Sequence, residues 1–155
     1  MGGVEVYVEE KGSISGVIPP CRLTVDQREV LEVVERGHNV FITGQAGTGK
    51  SFLVKEIFRS LSRKGTKCEV ICSSGIAGTV YGDITATVPT VHSFYGLQTA
   101  DLPWRDVVNR ATASNQVRDK IRGAGCIIWD EASMSSRRIL ELQITFIMIW
   151  QRNVT

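Results

Sequence analysis

The octapeptide Gly44-Gln45-Ala46-Gly47-Thr48-Gly49-Lys50-Ser51 constrains this chain more than any other stretch. G-x-x-x-x-G-K-[ST] is the pattern of a loop that wraps a polyphosphate between a strand and a helix. Glycine lets the backbone take dihedrals closed to other residues and turn its N–H groups inward on an anion. Lys50 then brings a point charge to the β and γ phosphates, the Ser51 hydroxyl is placed to ligate Mg²⁺, and the helix beginning here adds its N-terminal dipole. The required context is present. Asn39-Val40-Phe41-Ile42-Thr43 is apolar enough to predict a buried strand over 40–43, and Phe52, Leu53, Ile57 and Leu61 follow at helical spacing, with Val54 and Phe58 widening the stripe. The bland alternative is a glycine-rich turn with an idle lysine.

Length and composition set bounds around that loop. The chain has 155 residues, 43% hydrophobic and 22% charged, the proportions of one soluble domain able to bury a core. Its net charge of +2 is too mild to argue for nucleic acid without motifs. Cys21, Cys68, Cys72 and Cys126 form no C-x-x-C pair, which points to reduced thiols in an intracellular protein and gives no sign of zinc. Residues 1–21 have no apolar core of signal-peptide length and read as a poorly ordered leader. The most apolar stretch, 144–150, is far too short to span a bilayer, so no membrane partner is expected.

Thr24-Val25-Asp26-Gln27 fits a capping box that opens a first helix, whose apolar face is Val30, Leu31, Val33 and Val34 and whose stop is Gly37. Past the loop helix, Cys68–Cys72 reads as a strand, 76–80 as a short helix and 82–90 as loop. Thr90 caps a short helix ended by Gly96, 105–122 hold one long or two short helices, and Cys126–Asp130 reads as a third strand. Strands alternating with helices predict an α/β fold with a parallel sheet and helices on its faces. That third strand ends in adjacent carboxylates, Asp130 and Glu131. In a parallel sheet ligands bind at the carboxyl ends of strands, so Asp130 suits the Mg²⁺ shell and Glu131 a base for the attacking water. The competing account is an acidic pair favouring the N-terminus of a helix starting near Ser135. Trp129 reads as core, with a place lining the site left open.

Five segments in order resemble the petite integration frequency family of DNA helicases, superfamily-one enzymes related to RecD. They are Leu23-Thr24-x-x-Gln27, 39–51, Ser73-Ser74-Gly75-Ile76-Ala77-Gly78, Thr90-Val91-His92-Ser93-Phe94 and Ile127-Ile128-Trp129-Asp130-Glu131-Ala132-Ser133-Met134. The resemblance implies a RecA-like P-loop NTPase sandwich over 22–142, ATP with Mg²⁺, and a catalytic set of Lys50, Asp130 and Glu131. It implies that Gln27 reads the adenine edge, against the capping-box account of the same residue. It implies that Ser73, Ser74, Gly75, His92 and Phe94 lie along single-stranded DNA or a single-/double-strand junction; the alternative makes Phe94 and Tyr95 core and His92 a polar neighbour. Such helicases couple ATP hydrolysis to 5′-to-3′ unwinding in telomere maintenance, repair and recombination, in the nucleus or mitochondrion of eukaryotes. A second reading is a catalytically silent nucleotide- and DNA-binding fragment, and a third an AAA-type ATPase, which leaves Thr90 to Phe94 unexplained.

The chain departs from the family after Met134: the next family element, a further strand and loop, and the second RecA-like domain with its arginine are not found, and 143–155 diverge. In RecA-like sheets that strand lies between the loop strand and the acidic-pair strand. Residues 144–150 are β-branched and of strand length, so one expectation places them there; the other continues the preceding helix and leaves Ile144, Ile147 and Trp150 exposed.

Overall fold

The structure is a computed structural model that describes residues 23–97 and 102–151. The expected leader at 1–21 lies outside them. The chain divides after Lys64 into two compact units, taken in turn.

The first unit is a pair of helices joined by the phosphate-loop segment. Helix α1 (Val25–Glu35) opens on the expected capping box: the Thr24 hydroxyl accepts from the Gln27 N–H at 3.2 Å, and the Thr24 N–H donates to Gln27 Oε1 at 3.1 Å. Two first-turn donors are thereby satisfied, which water would otherwise have to do. The helix closes where Gly37 donates to Val34 O and His38 to Val33 O, a pairing that satisfies its last carbonyls. Helix α2 (Lys50–Arg63) packs on α1 through Leu53, Val54, Ile57 and Leu61, all buried along with Val30. The C-terminal ends are tied by Glu35, which accepts from the Ser60 hydroxyl and pairs with Lys64 Nζ at 2.7 Å.

Residues 40–43 correct the sequence reading. They form no strand, and Phe41 is 55% exposed. Apolar content alone does not make a strand; backbone N–H and C=O groups need a ladder partner, and among the described residues the only sheet is the two-stranded one of the second unit.

That sheet pairs β1 (Cys68–Cys72) with β2 (Cys126–Asp130) in parallel, in a register running from Cys68 opposite Cys126 to Cys72 opposite Asp130. A short parallel bridge between Cys72 and Thr90 extends it, with the Cys72 N–H donating to Pro89 O at 3.1 Å. Between the strands the chain makes a 3₁₀ turn (Ala77–Tyr81), then α3 (Val91–Phe94), α4 (Trp104–Ala113) and α5 (Asn115–Gly123). Ser114 decides between one helix and two: its extended backbone ends α4, and its hydroxyl accepts the Val117 N–H to begin α5. The core brings Ile71 together with Val91, Phe94, Tyr95, Val117, Ile121 and Leu142.

After a second 3₁₀ turn (Ala132–Met134), helix α6 runs without interruption over Arg137–Gln151. This overturns the expectation that 144–150 form a strand; the helix continues, with Ile144 57% exposed, while the side chains of Ile147 and Trp150 lie outside those described. Local hydrogen bonding explains the outcome. A helix satisfies its backbone within the segment, whereas an inserted strand needs partners on both edges.

Two expectations follow. Leu142 is fully buried, so Leu142→Ala is expected to cost about 2–5 kcal/mol, read as a lower urea midpoint with little change in slope. Glu35 is held below the usual carboxylate range, first by its hydrogen bond to Lys64, then by that to Ser60. A depressed folded-state pKa contributes stability that is present above the unfolded value of 4.5 and is lost as pH falls through the folded value. Urea midpoints measured from pH 6 down to about pH 3 are expected to fall less in Glu35→Gln than in the unaltered chain.

Candidate functional site

The phosphate loop belongs to the first unit. A cavity there is lined by Gln27, Thr43, Gly44, Thr48, Gly49 and Lys50, closed below by Val30, Ile42 and Leu53. Gly47 and Gly49 have φ of +83° and +84°, conformations that side chains rarely adopt. At Gly49 there is a second reason: a Cβ would stand 2.9 Å from Gln27 Nε2. Thr48 braces the turn by donating its hydroxyl to Gln45 O at 2.8 Å. Ala46 lies at the exposed tip of the loop, and Ser51 falls in the first turn of α2.

Lys50 shows what the loop suits. Its ammonium donates to Gly44 O at 2.6 Å and Gln45 O at 2.7 Å, two carbonyls that carry dipoles but no net charge. A cation folded back over a glycine loop at a helix N-terminus fits an anion. For Gln27 the structure shows the capping account. Its Oε1 caps α1 while its amide nitrogen faces Gly49 in the cavity.

The acidic pair belongs to the second unit. Asp130 ends β2, half-buried, with Oδ1 accepting the Glu131 N–H at 2.9 Å and Oδ2 accepting the Tyr81 hydroxyl at 2.6 Å. Glu131 is exposed and is the one non-glycine residue at positive φ, +55°, among those described. Such backbone costs about 1–3 kcal/mol and gathers at functional sites. The pair does not sit at the start of α6, which begins at Arg137 with no acidic residue in its first turn; it precedes the 3₁₀ turn Ala132–Met134, where Glu131 is the N-cap. The pair's field also reaches Cys72, whose thiol is pushed up to about 11, chiefly by burial and then by the charges of Asp130 and Glu131. Among the described residues no three His, Cys, Asp or Glu side chains converge as a metal cage. Mg²⁺ does not need one, because it keeps most of its waters and takes one or two protein oxygens.

Ser73 is the hub below the pair. Its hydroxyl donates to Glu131 O at 2.7 Å, meets Ser135 Oγ at 2.8 Å and accepts Trp129 Nε1–H at 3.1 Å. Trp129 is thus half core and half bracket. Ser74 accepts the Ala77 N–H, while Gly75 and His92 are exposed. Phe94 corrects the sequence reading. It is 1% exposed and packs edge-on against Tyr95 at 5.0 Å, so its ring has no face to offer a base. Tyr81 went unnoticed in the sequence: nothing local links it to a residue 49 positions away.

The first unit carries a glycine loop at a helix N-terminus and the second a parallel strand tipped by acids, features of the RecA-like P-loop α/β class. Comparison with known proteins narrows the class. A family profile described as PIF1-like helicase matches residues 22–153. The chain is 33% identical over 125 residues to ATP-dependent DNA helicase Pif1 of Bdellovibrio bacteriovorus, covering 79% of this chain and 27% of that protein. It is 38% identical over 113 residues to ATP-dependent DNA helicase PIF1 of Danio rerio, covering 73% and 16%. The crystal structure of Pif1 helicase from Candida albicans superposes with a TM-score of 0.73 at 29% identity, over 86% of this chain and 30% of that one. The chain belongs to the PIF1-like helicase family, and it spans about a quarter or less of the length of these curated relatives.

Replacing Lys50 by Ala removes its two exposed hydrogen bonds. The expected result is an unchanged melting temperature with a loss of affinity for a fluorescent ATP analogue of about tenfold or more, the scale of a charge-assisted hydrogen bond.

Proposed function

We propose that this chain is the ATP-binding portion of an ATP-dependent DNA helicase that works 5′-to-3′ in genome maintenance, including telomere upkeep, repair and recombination. The observation that carries the reading is the Lys50 ammonium, folded onto the neutral carbonyls of a glycine loop in a chain whose relatives are named ATP-dependent DNA helicases. Residues 44–51 would hold the triphosphate, with Lys50 on its outer phosphates and Ser51 on Mg²⁺. Asp130 would serve the Mg²⁺ shell, and Gln27 would present its amide nitrogen to the adenine. ATP supplies the free energy released by hydrolysis. Glu131, exposed at the strand end, would take the proton of the attacking water on its carboxylate. Ser73 holds the Glu131 main chain in its unusual conformation, which fixes where that carboxylate starts from. Exposed Ser74, Gly75 and His92 would face the DNA.

A second reading is a nucleotide- and DNA-binding segment without turnover. It is favoured by 40–43, where the loop lacks the ladder-bonded strand that would stiffen its base.

DNA-stimulated ATP hydrolysis by the purified chain separates the two. Turnover that rises with single-stranded DNA and vanishes in Lys50→Ala and Glu131→Gln is the expected result for the helicase reading. Binding of nucleotide with no turnover, with or without DNA, would leave the silent segment.

A further inference from the structure

The 3₁₀ turn after β1 ends in a tyrosine that the sequence reading leaves without a task. Tyr81 has no exposed surface, yet its hydroxyl donates to Asp130 Oδ2 at 2.6 Å. The other oxygen of that carboxylate accepts the Glu131 N–H. Two donors from different parts of the chain therefore hold the carboxylate plane. One is the strand's own continuation; the other arrives from the segment that leaves β1. Ser73, at the start of the same segment, grips Glu131 O. One stretch of chain, 73–81, thus secures both acids: the first by its side chain, the second by its backbone.

We propose that Tyr81 is a positioning residue for Asp130, setting the carboxylate orientation that receives the hydrated divalent cation of a bound nucleotide. The inference rests on the role proposed above for Asp130 and adds the group that aims it. A phenol suits the task for three reasons. At 2.6 Å it makes a charge-assisted bond that is short and directional. Its ring is anchored in the interior, so the hydroxyl cannot follow a wandering carboxylate. It leaves the remaining lone pairs of Asp130 free for water, which is how Mg²⁺ prefers to meet protein. A lysine there would neutralise the carboxylate that the cation needs, and the phenol does not.

The test is Mn²⁺ binding to the full chain in the presence of ADP, read by the electron paramagnetic resonance signal of free Mn²⁺. The proteins are the unaltered chain, Tyr81→Phe, Asp130→Asn and the double variant. Tyr81→Phe keeps the buried ring and removes one atom. It is expected to weaken Mn²⁺ binding by about tenfold, the scale of a bond to a charged group, while ADP binding in chelator and the far-UV circular dichroism stay as in the unaltered chain. In the Asp130→Asn background the same change is expected to do nothing further. Equal or tighter Mn²⁺ binding in Tyr81→Phe overturns the inference, since the phenol would then be packing or a competitor of the metal. So does an effect that persists undiminished in the double variant. Asp130→Asn reports on the underlying assignment: if it leaves Mn²⁺ affinity unchanged, Asp130 is not the cation's carboxylate and the role of Tyr81 falls with it. A measurement that needs no variant is paramagnetic broadening by Mn²⁺·ADP of the ring-carbon resonances of the chain's three tyrosines. Selective broadening of Tyr81 supports the inference, and its absence overturns it.

Discussion

The register of two parallel strands governs what the second unit can do. With Cys72 opposite Asp130, the acidic pair emerges level with the point where β1 gives way to the loop carrying Ser73. Val70, Ile71 and Cys72 are buried in succession, so β1 is covered on both faces, and a slip of one residue in its pairing with β2 would carry Asp130 away from Tyr81. Burial of Ile71 among Phe94, Tyr95 and Leu142 prevents that slip. Packing energy in the core is thereby converted into the position of a carboxylate at the rim.

Much of this was legible along the chain because the deciding interactions are local. Thr24 with Gln27, Thr90 with Ser93 and Ser114 with Val117 are each three residues apart, and each cap forms as the sequence suggests or permits. The glycines of the phosphate loop are equally local, since a positive φ at 47 and 49 is a property of those residues themselves. The two strands that formed were readable as short apolar runs bounded by turn residues.

What was not legible depends on partners distant in sequence. Residues 40–43 look as strand-like as 126–130, but a strand exists only where another backbone meets it. For 144–150, β-branched content suggested a strand, and the helix that begins at Arg137 carried through it because helical bonds need no neighbour. Aromatic residues mislead for the same reason. Phe94 was readable as a stacking platform and is core, whereas Tyr81, which reaches the acidic pair, carried no local sign of it.

The inward fold of Lys50 changes how affinity at the loop should be understood. The lysine is already coordinated, with carbonyls at 2.6 and 2.7 Å, so binding there is an exchange of ligands around a cation and not the filling of a void. Two neutral dipoles must be given up together, which a sparsely charged anion does poorly and a chain of phosphates does well. On the reading proposed above, the loop's own geometry would favour polyphosphate over single phosphate or sulfate.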